Sequence, residues 1–192
     1  LNSCQKDHPD WLYVKCNVSD EGDVTRLFNV TRERLGGLDI LVNNAGIAGP
    51  TGGIDELSSE SWLETVNINL NGQFYCAKLA VPLLRASSNP SIIAISSVAG
   101  RLGYAYRTPY AATKWAIVGL AKSLAIELGQ DGIRVNALLP GIVEGPRIEK
   151  VIAARAQATG QSYEAMERAY IEKISLRRMV TADDVANQAL FL

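Results

Sequence analysis

Short apolar runs separated by longer stretches of helical spacing organise this chain. The first run, residues 11–18, holds Leu12, Tyr13, Val14, Cys16 and Val18 and predicts a strand. Ser19 and Asp20 are helix-start residues, and the helix they open over 21–35 should end at Gly36 and Gly37. Residues 38–42 predict a second strand, entering the polar turn Asn43, Asn44, Ala45 and Gly46, with a Gly- and Pro-bearing loop over 47–53 behind it. Ser58 or Ser59 should cap a helix from near Glu60. After an interruption over 67–72 that helix resumes through Phe74 and Leu79 toward Leu84. Ser87, Ser88, Asn89 and Pro90 break it, and 92–96 predicts the next strand. A long helix over 110–128 carries small and apolar residues on more than one side, among them Ala111, Trp115, Val118 and Leu124. A strand over 133–139 stops at Pro140 and Gly141, helices follow over 147–158 and 163–174, and Thr181 opens a last one. Residues 1–10 are polar and read as irregular.

Strands alternating with helices of ten or more residues imply an α/β fold, a doubly wound parallel sheet covered on both faces. Ligands in such sheets bind at the carboxyl ends of the strands, near a reversal of strand order. Asn17 and Val18, the turn from Asn43 to Gly46, Ser96 and Ser97, and Pro140 and Gly141 all fall at predicted strand ends. They should lie along one rim.

Composition narrows the field without adding chemistry. At 192 residues, 47% hydrophobic and 20% charged, with net charge −1, the chain reads as one soluble globular domain. A charge so near neutral gives no electrostatic case for nucleic acid or a membrane surface. Cys4, Cys16 and Cys76 show no paired spacing and His8 is the lone histidine, so no metal site is expected and reduced thiols fit a cytoplasmic protein. The N-terminal residues show no signal-peptide pattern, and no apolar stretch approaches a membrane span in length.

The candidate chemistry sits between Ser97 and Lys114. Tyr110 and Lys114 are four apart, one turn along a helix face, and Ser97 stands thirteen residues before the tyrosine at a strand end. A free tyrosine has a pKa of about 10, and a nearby ammonium favours the phenolate. Bringing a phenol from there to ~7 takes roughly 4 kcal/mol of differential stabilisation. A hydroxyl beside a Tyr-Lys pair is therefore a plausible proton-transfer site, although the four-residue spacing alone is common on helix surfaces.

Asn43-Asn44-Ala45-Gly46, Asn69-Leu70-Asn71-Gly72, Ser97, Tyr110-x-x-x-Lys114 and Pro140-Gly141, in that order, resemble the classical short-chain dehydrogenase/reductase family over nearly the whole chain. The resemblance implies a Rossmann-like NAD(P)-binding domain over 1–192, binding NAD or NADP and a small carbonyl or alcohol substrate. It makes Tyr110 the general acid/base, Ser97 the orienting hydroxyl, and Lys114 the group that lowers the tyrosine pKa and binds the nicotinamide ribose. Asn69 would hold a water linking Lys114 to solvent. Ser96 and Asn67 compete with Ser97 and Asn69, but the tyrosine spacing and the Asn-x-x-Gly pattern favour the latter pair. Asn17 and Val18 match an adenine-contacting pair, Asn44, Ala45 and Gly46 the turn beneath the adenine ribose, and Pro140, Gly141, Ile142 and Val143 the segment whose backbone meets the carboxamide. A threonine common five residues after that proline is Gly145 here, which removes one cofactor contact.

The same resemblance places a glycine-rich phosphate loop and a second strand before residue 1 and a last strand after Leu192, so the sequence reads as an internal fragment. In the family strand order 3-2-1-4-5-6-7 it would supply strands 3 to 6. The strand over 11–18 would then face a gap of about 10 Å, leaving a slot in the sheet or requiring other means of support. Residues 1–192 alone are accordingly expected to fold poorly and not to bind NAD(P). For the substrate, 3-oxoacyl thioesters come first and sugars, polyols or other small alcohols second. A non-catalytic dinucleotide sensor is the third reading, and such relatives usually lack the Tyr or Lys. A homo-oligomer, a dimer or a homotetramer, is expected through the helices around 74–84 and 110–128.

Overall fold

The computed structural model describes residues 2–192, with side chains from residue 5 onward. Three parallel strands form its sheet: β1 (Ile40–Asn43), β2 (Ser91–Ile95) and β3 (Arg134–Leu138), in the order β1-β2-β3. Leu41 pairs with Ile92, and Ile92 with Val135. Parallel neighbours need crossover helices. α3 (Ser59–Val66) and α4 (Gly72–Leu84) connect β1 to β2, and α5 (Thr108–Leu128) connects β2 to β3.

Local chemistry sets the helix ends. Ahead of α2 (Glu21–Leu35), the Asp20 carboxylate accepts from the Asp23 N–H at 2.8 Å. The helix closes on Gly36 in the left-handed region (φ 76°), where glycine has no Cβ penalty. Ser58 caps α3 in the same way. Thr181 and Asp184 form a reciprocal capping box at α8 (Ala182–Phe191).

The main core lies on one side of the sheet. Ile92, Ala94 and Val135 meet Val24 and Phe28 of α2, Cys76, Ala80 and Leu84 of α4, and Ile117, Ala121 and Leu128 of α5. Burying a side chain such as Leu84 or Ile117 completely is worth about 1.5–3 kcal/mol. On the other side Ile40 and Val42 border an open cleft, 51% and 48% exposed. Two helices, α6 (Pro146–Thr159) and α7 (Tyr163–Ile171), stand over that cleft on a small core of their own, Ile152, Ala156, Met166 and Tyr170. No helix among the described residues is long and apolar enough to cross a membrane.

Two expectations fail near the start of the chain. The strand expected over 11–18 does not form. A strand requires a ladder partner, and none of the three strands pairs with this segment. The segment is held by side chains instead: Arg26 donates to the Lys15 carbonyl at 2.7 Å, and the Asp23 carboxylate accepts from the Asn17 N–H at 2.9 Å. Cys16 and Val18 still pack against the main core. Second, the stretch expected to be irregular contains a short helix, α1 (Asn2–Asp7), after which the His8 ring stacks on Trp11 at 4.1 Å. The helix expected over 163–174 stops at Ile171.

Candidate active site

Tyr110 lies in the first turn of α5, and Lys114 follows one turn on. Lys114 is 4% exposed, and its Nζ sits 5.6 Å from the centre of the Tyr110 ring. The ammonium donates to the Ile95 carbonyl at 2.9 Å, its one hydrogen bond to the described residues. Burial, and then the charge of Arg147, lower its pKa to about 8. Ser97, just past β2, is half-buried and extended; its Oγ accepts from the Ala99 N–H at 3.2 Å. Neither the Ser97 hydroxyl nor the Tyr110 phenol donates a hydrogen bond to any described residue. Both line one cavity of about 1760 Å³ together with Lys114.

The geometry separates the paired candidates. Ser96 is buried, and its hydroxyl is spent on the Lys114 carbonyl at 2.7 Å, tying the end of β2 to α5. The two come so close beside Gly100 that a Cβ there would lie 2.6 Å from that carbonyl oxygen. Between α3 and α4 the backbone makes a π-helical turn, Asn67–Asn71, a local insertion that re-aims side chains. Asn69 is fully buried by it. Its side chain accepts from the Ile47 N–H at 2.7 Å and donates to the Ile47 carbonyl at 3.1 Å, clamping the turn after β1. Asn67 instead bonds Asn71 at 2.8 Å.

Asn44, Gly46, Pro140, Gly141, Ile142 and Val143 line the same cavity as Ser97, Tyr110 and Lys114. Asn17, Val18, Ala45 and Asn69 do not. Asn17 is exposed and accepts locally from the Ser19 N–H and hydroxyl, while Val18 packs on Gly72 so closely that a Cβ there would lie 2.9 Å from Val18 Cγ2. Sequence reasoning missed Gln73, whose buried amide donates to the carbonyls of Asn43 and Ile95 at 3.3 Å and so joins the ends of β1 and β2. It also missed Arg107, whose guanidinium lies 5.2 Å from the centre of the Tyr110 ring, and Tyr104, Arg155 and Tyr170, which gather beside Arg107 under α6 and α7, the lid over the cleft. Their signal, an arginine three residues before the tyrosine, has no standard spacing to announce it.

A family model described as enoyl-(acyl carrier protein) reductase matches residues 2–192. Trans-4-hydroxycyclohexanecarboxylate dehydrogenase of Sinomonas cyclohexanicum is 43% identical over 135 residues, 70% of this chain and 51% of its own length. The 3-oxoacyl-[acyl-carrier-protein] reductase of Thermotoga maritima is 35% identical over 176 residues, 92% of this chain and 67% of its own. Among solved structures, an actinorhodin polyketide ketoreductase variant with NADPH superposes with a TM-score of 0.85 at 33% identity, covering 92% of this chain and 68% of that one. The chain belongs to the short-chain dehydrogenase/reductase family, with its Rossmann-like α/β fold. It spans 51% and 67% of the two curated relatives named here.

Proposed function

We propose that this chain is the catalytic part of an NAD(P)-dependent oxidoreductase that interconverts a secondary alcohol and a ketone. One observation carries the reading: two hydroxyls that donate to no described residue, Ser97 and Tyr110, share a cavity with a buried ammonium whose pKa is lowered to about 8. The cavity wall fits the nicotinamide-ribose half of a dinucleotide. Lys114 has donors to spare beyond its single bond, and Gly46 leaves open the space in which a Cβ would stand 3.8 Å from its Nζ. When bound, NAD or NADP supplies or accepts the hydride.

On this reading Tyr110 gives or takes the substrate proton and Ser97 orients the carbonyl or hydroxyl oxygen. Lys114 holds the ribose hydroxyls and favours the phenolate of its neighbour. Asn69 fixes the turn under the cofactor and carries the water that links Lys114 to solvent. The backbone of Pro140, Gly141, Ile142 and Val143 meets the carboxamide. Asn44, Ala45 and Gly46 pass beneath the adenine ribose, and Asn17 and Val18 meet the adenine.

For the substrate, a 3-oxoacyl thioester is supported by the 35% identity to an acyl-carrier-protein reductase. A small cyclic or polyhydroxy alcohol is the second reading, supported by the 43% identity to a hydroxycyclohexanecarboxylate dehydrogenase. A homo-oligomer through α4 and α5 is supported by Phe74, Trp115 and Ile126, apolar and exposed at 47%, 50% and 85%. Nicotinamide fluorescence followed against a panel of carbonyl compounds tests the activity on the full chain. Binding of NAD(P) without turnover of any member would favour a dinucleotide sensor.

A further inference from the structure

The cavity around Tyr110 holds more positive charge than a nicotinamide site uses. Arg107, Lys114, Arg147 and Arg155 line it, with Arg134 and Lys173 farther along the wall, and Glu144 is its one acidic side chain among the described residues. None of Arg107, Arg147 and Arg155 forms an ion pair with a described residue. Arg107 is 2% exposed. One of its amines donates to the Ala48 carbonyl at 2.6 Å, while Nε and Nη1 have no hydrogen-bond partner among the described residues. Its guanidinium lies 5.2 Å from the centre of the Tyr110 ring and 5.5 Å from that of Tyr104. Arg155 approaches the same Tyr104 ring at 5.1 Å, bonds the Tyr170 hydroxyl at 3.2 Å, and leaves Nε buried and unpartnered.

A buried guanidinium without an anion is costly, because desolvation is then repaid only by aromatic faces and carbonyls. Tyr104 does not supply the missing charge. Burial and its contact with the Tyr170 hydroxyl push its phenol upward, so it stays neutral. The cofactor does not account for the pair either. Arg147 reaches the Gly46 carbonyl at 3.2 Å, beside Lys114 and the cofactor turn, whereas Arg107 and Arg155 gather on the Tyr104–Tyr170 side beneath the lid.

We propose that the substrate carries an acidic group, a carboxylate or a phosphate, seated against Arg107 and Arg155 while its carbonyl or hydroxyl lies at Tyr110. The oxidoreductase reading underlies this proposal and is narrowed by it. The planar fork of arginine suits the two oxygens of such a group, and a seat walled by tyrosines keeps the pairing dry. An acid held three residues upstream of the reacting tyrosine aligns the carbon that gives or takes hydride.

The test compares charged substrates with neutral counterparts on the full chain with NAD or NADP. 3-Hydroxybutyrate and 4-hydroxycyclohexanecarboxylate are each set against their methyl esters, and glycerol 3-phosphate against glycerol. The acid of at least one pair should exceed its counterpart in kcat/KM by roughly 10–150-fold, the range of a charge-assisted hydrogen bond. The pair that does so tells carboxylate from phosphate. Arg155→Gln should remove that advantage, chiefly through KM, with neutral turnover held within about threefold, and Arg155→Lys should restore part of it. Equal use of acids and neutral counterparts by the wild type would overturn the proposal, and so would equal loss of both in Arg155→Gln. Calorimetric titration with cyclohexanecarboxylate and with inorganic phosphate reads the seat without turnover. Binding that Arg155→Gln weakens, with no turnover of any pair, would keep the seat and remove the oxidoreductase reading. No binding and no preference would remove the seat.

Discussion

The two faces of the sheet are built on opposite principles. Toward α2, α4 and α5 each strand presents aliphatic side chains to a sealed core, with Ile92 1% and Leu84 0% exposed. Toward the lid, Ile40 and Val42 stand half exposed, and the cavity is closed at its active end by polar groups: Ser97, Tyr110, Lys114 and the arginines. The packed face supplies cohesion, and the cleft face holds groups whose hydrogen bonds are incomplete. Lys114 shows the division within one helix. Ile117 and Ala121 face the core, while the Lys114 ammonium ends in the cavity with two donors unspent among the described residues.

The largest effect should come from the cleft face at no cost to the packed one. Tyr110→Phe keeps the ring and removes the transferable proton, so turnover should fall by roughly 10²–10⁴-fold with the melting temperature little changed. Activity near wild type would remove Tyr110 from the proton-transfer role. Leu84→Ala is the converse. It empties a fully buried site and should cost about 2–5 kcal/mol in denaturant unfolding, with kcat little altered in the fraction that remains folded.

Lys114 is expected to show in both measurements. Lys114→Met should weaken NAD(P) binding and slow turnover together. Folded Lys114 releases its proton near pH 8, and the unfolded lysine near 10.5. Between those values the unfolded chain binds more protons, so stability rises with pH, by up to about 3 kcal/mol across the window. Below pH 8 the cost of the buried ammonium is constant. Denaturant midpoints of the cofactor-free protein should therefore rise between pH 8 and 10.5 relative to those of Lys114→Met, and an equal pH dependence of the two would mean that the ammonium is solvated.

The packed face was legible in the sequence, because burial there follows periodicity: α2, with Asp20 before it and Gly36 after it, spans 21–35 as its pattern predicts. The rim was legible too, since Asn44, Gly46, Ser97 and Pro140 all sit at the ends of strands whose apolar runs are plain. Residues 11–18 carry an equally plain run, but a strand is a property of pairs, and one segment cannot announce whether its neighbour is there. Arg107 and Arg155 were invisible for a different reason. They lie 48 positions apart and come to the same Tyr104 ring only where α6 and α7 fold over the loop before α5.

The smallest effect is the sharpest test of the comparison, because it uses adjacent residues of one strand. Leu41 and Val42 point to opposite faces of β1, as the two-residue period of a strand requires. Leu41 packs against the main core, and Val42 is 48% exposed at the cleft. Leu41→Ala should cost about 2–3 kcal/mol, toward the lower end for a leucine truncation because the site is only partly buried. Val42→Ala removes fewer atoms from a half-wet surface and should cost under about 1 kcal/mol. Both changes leave the backbone ladder to β2 in place, so the difference between them reads side-chain burial alone. Equal costs in urea unfolding of the full chain would mean that the cleft face is covered as tightly as the core, and the contrast between the faces would fall.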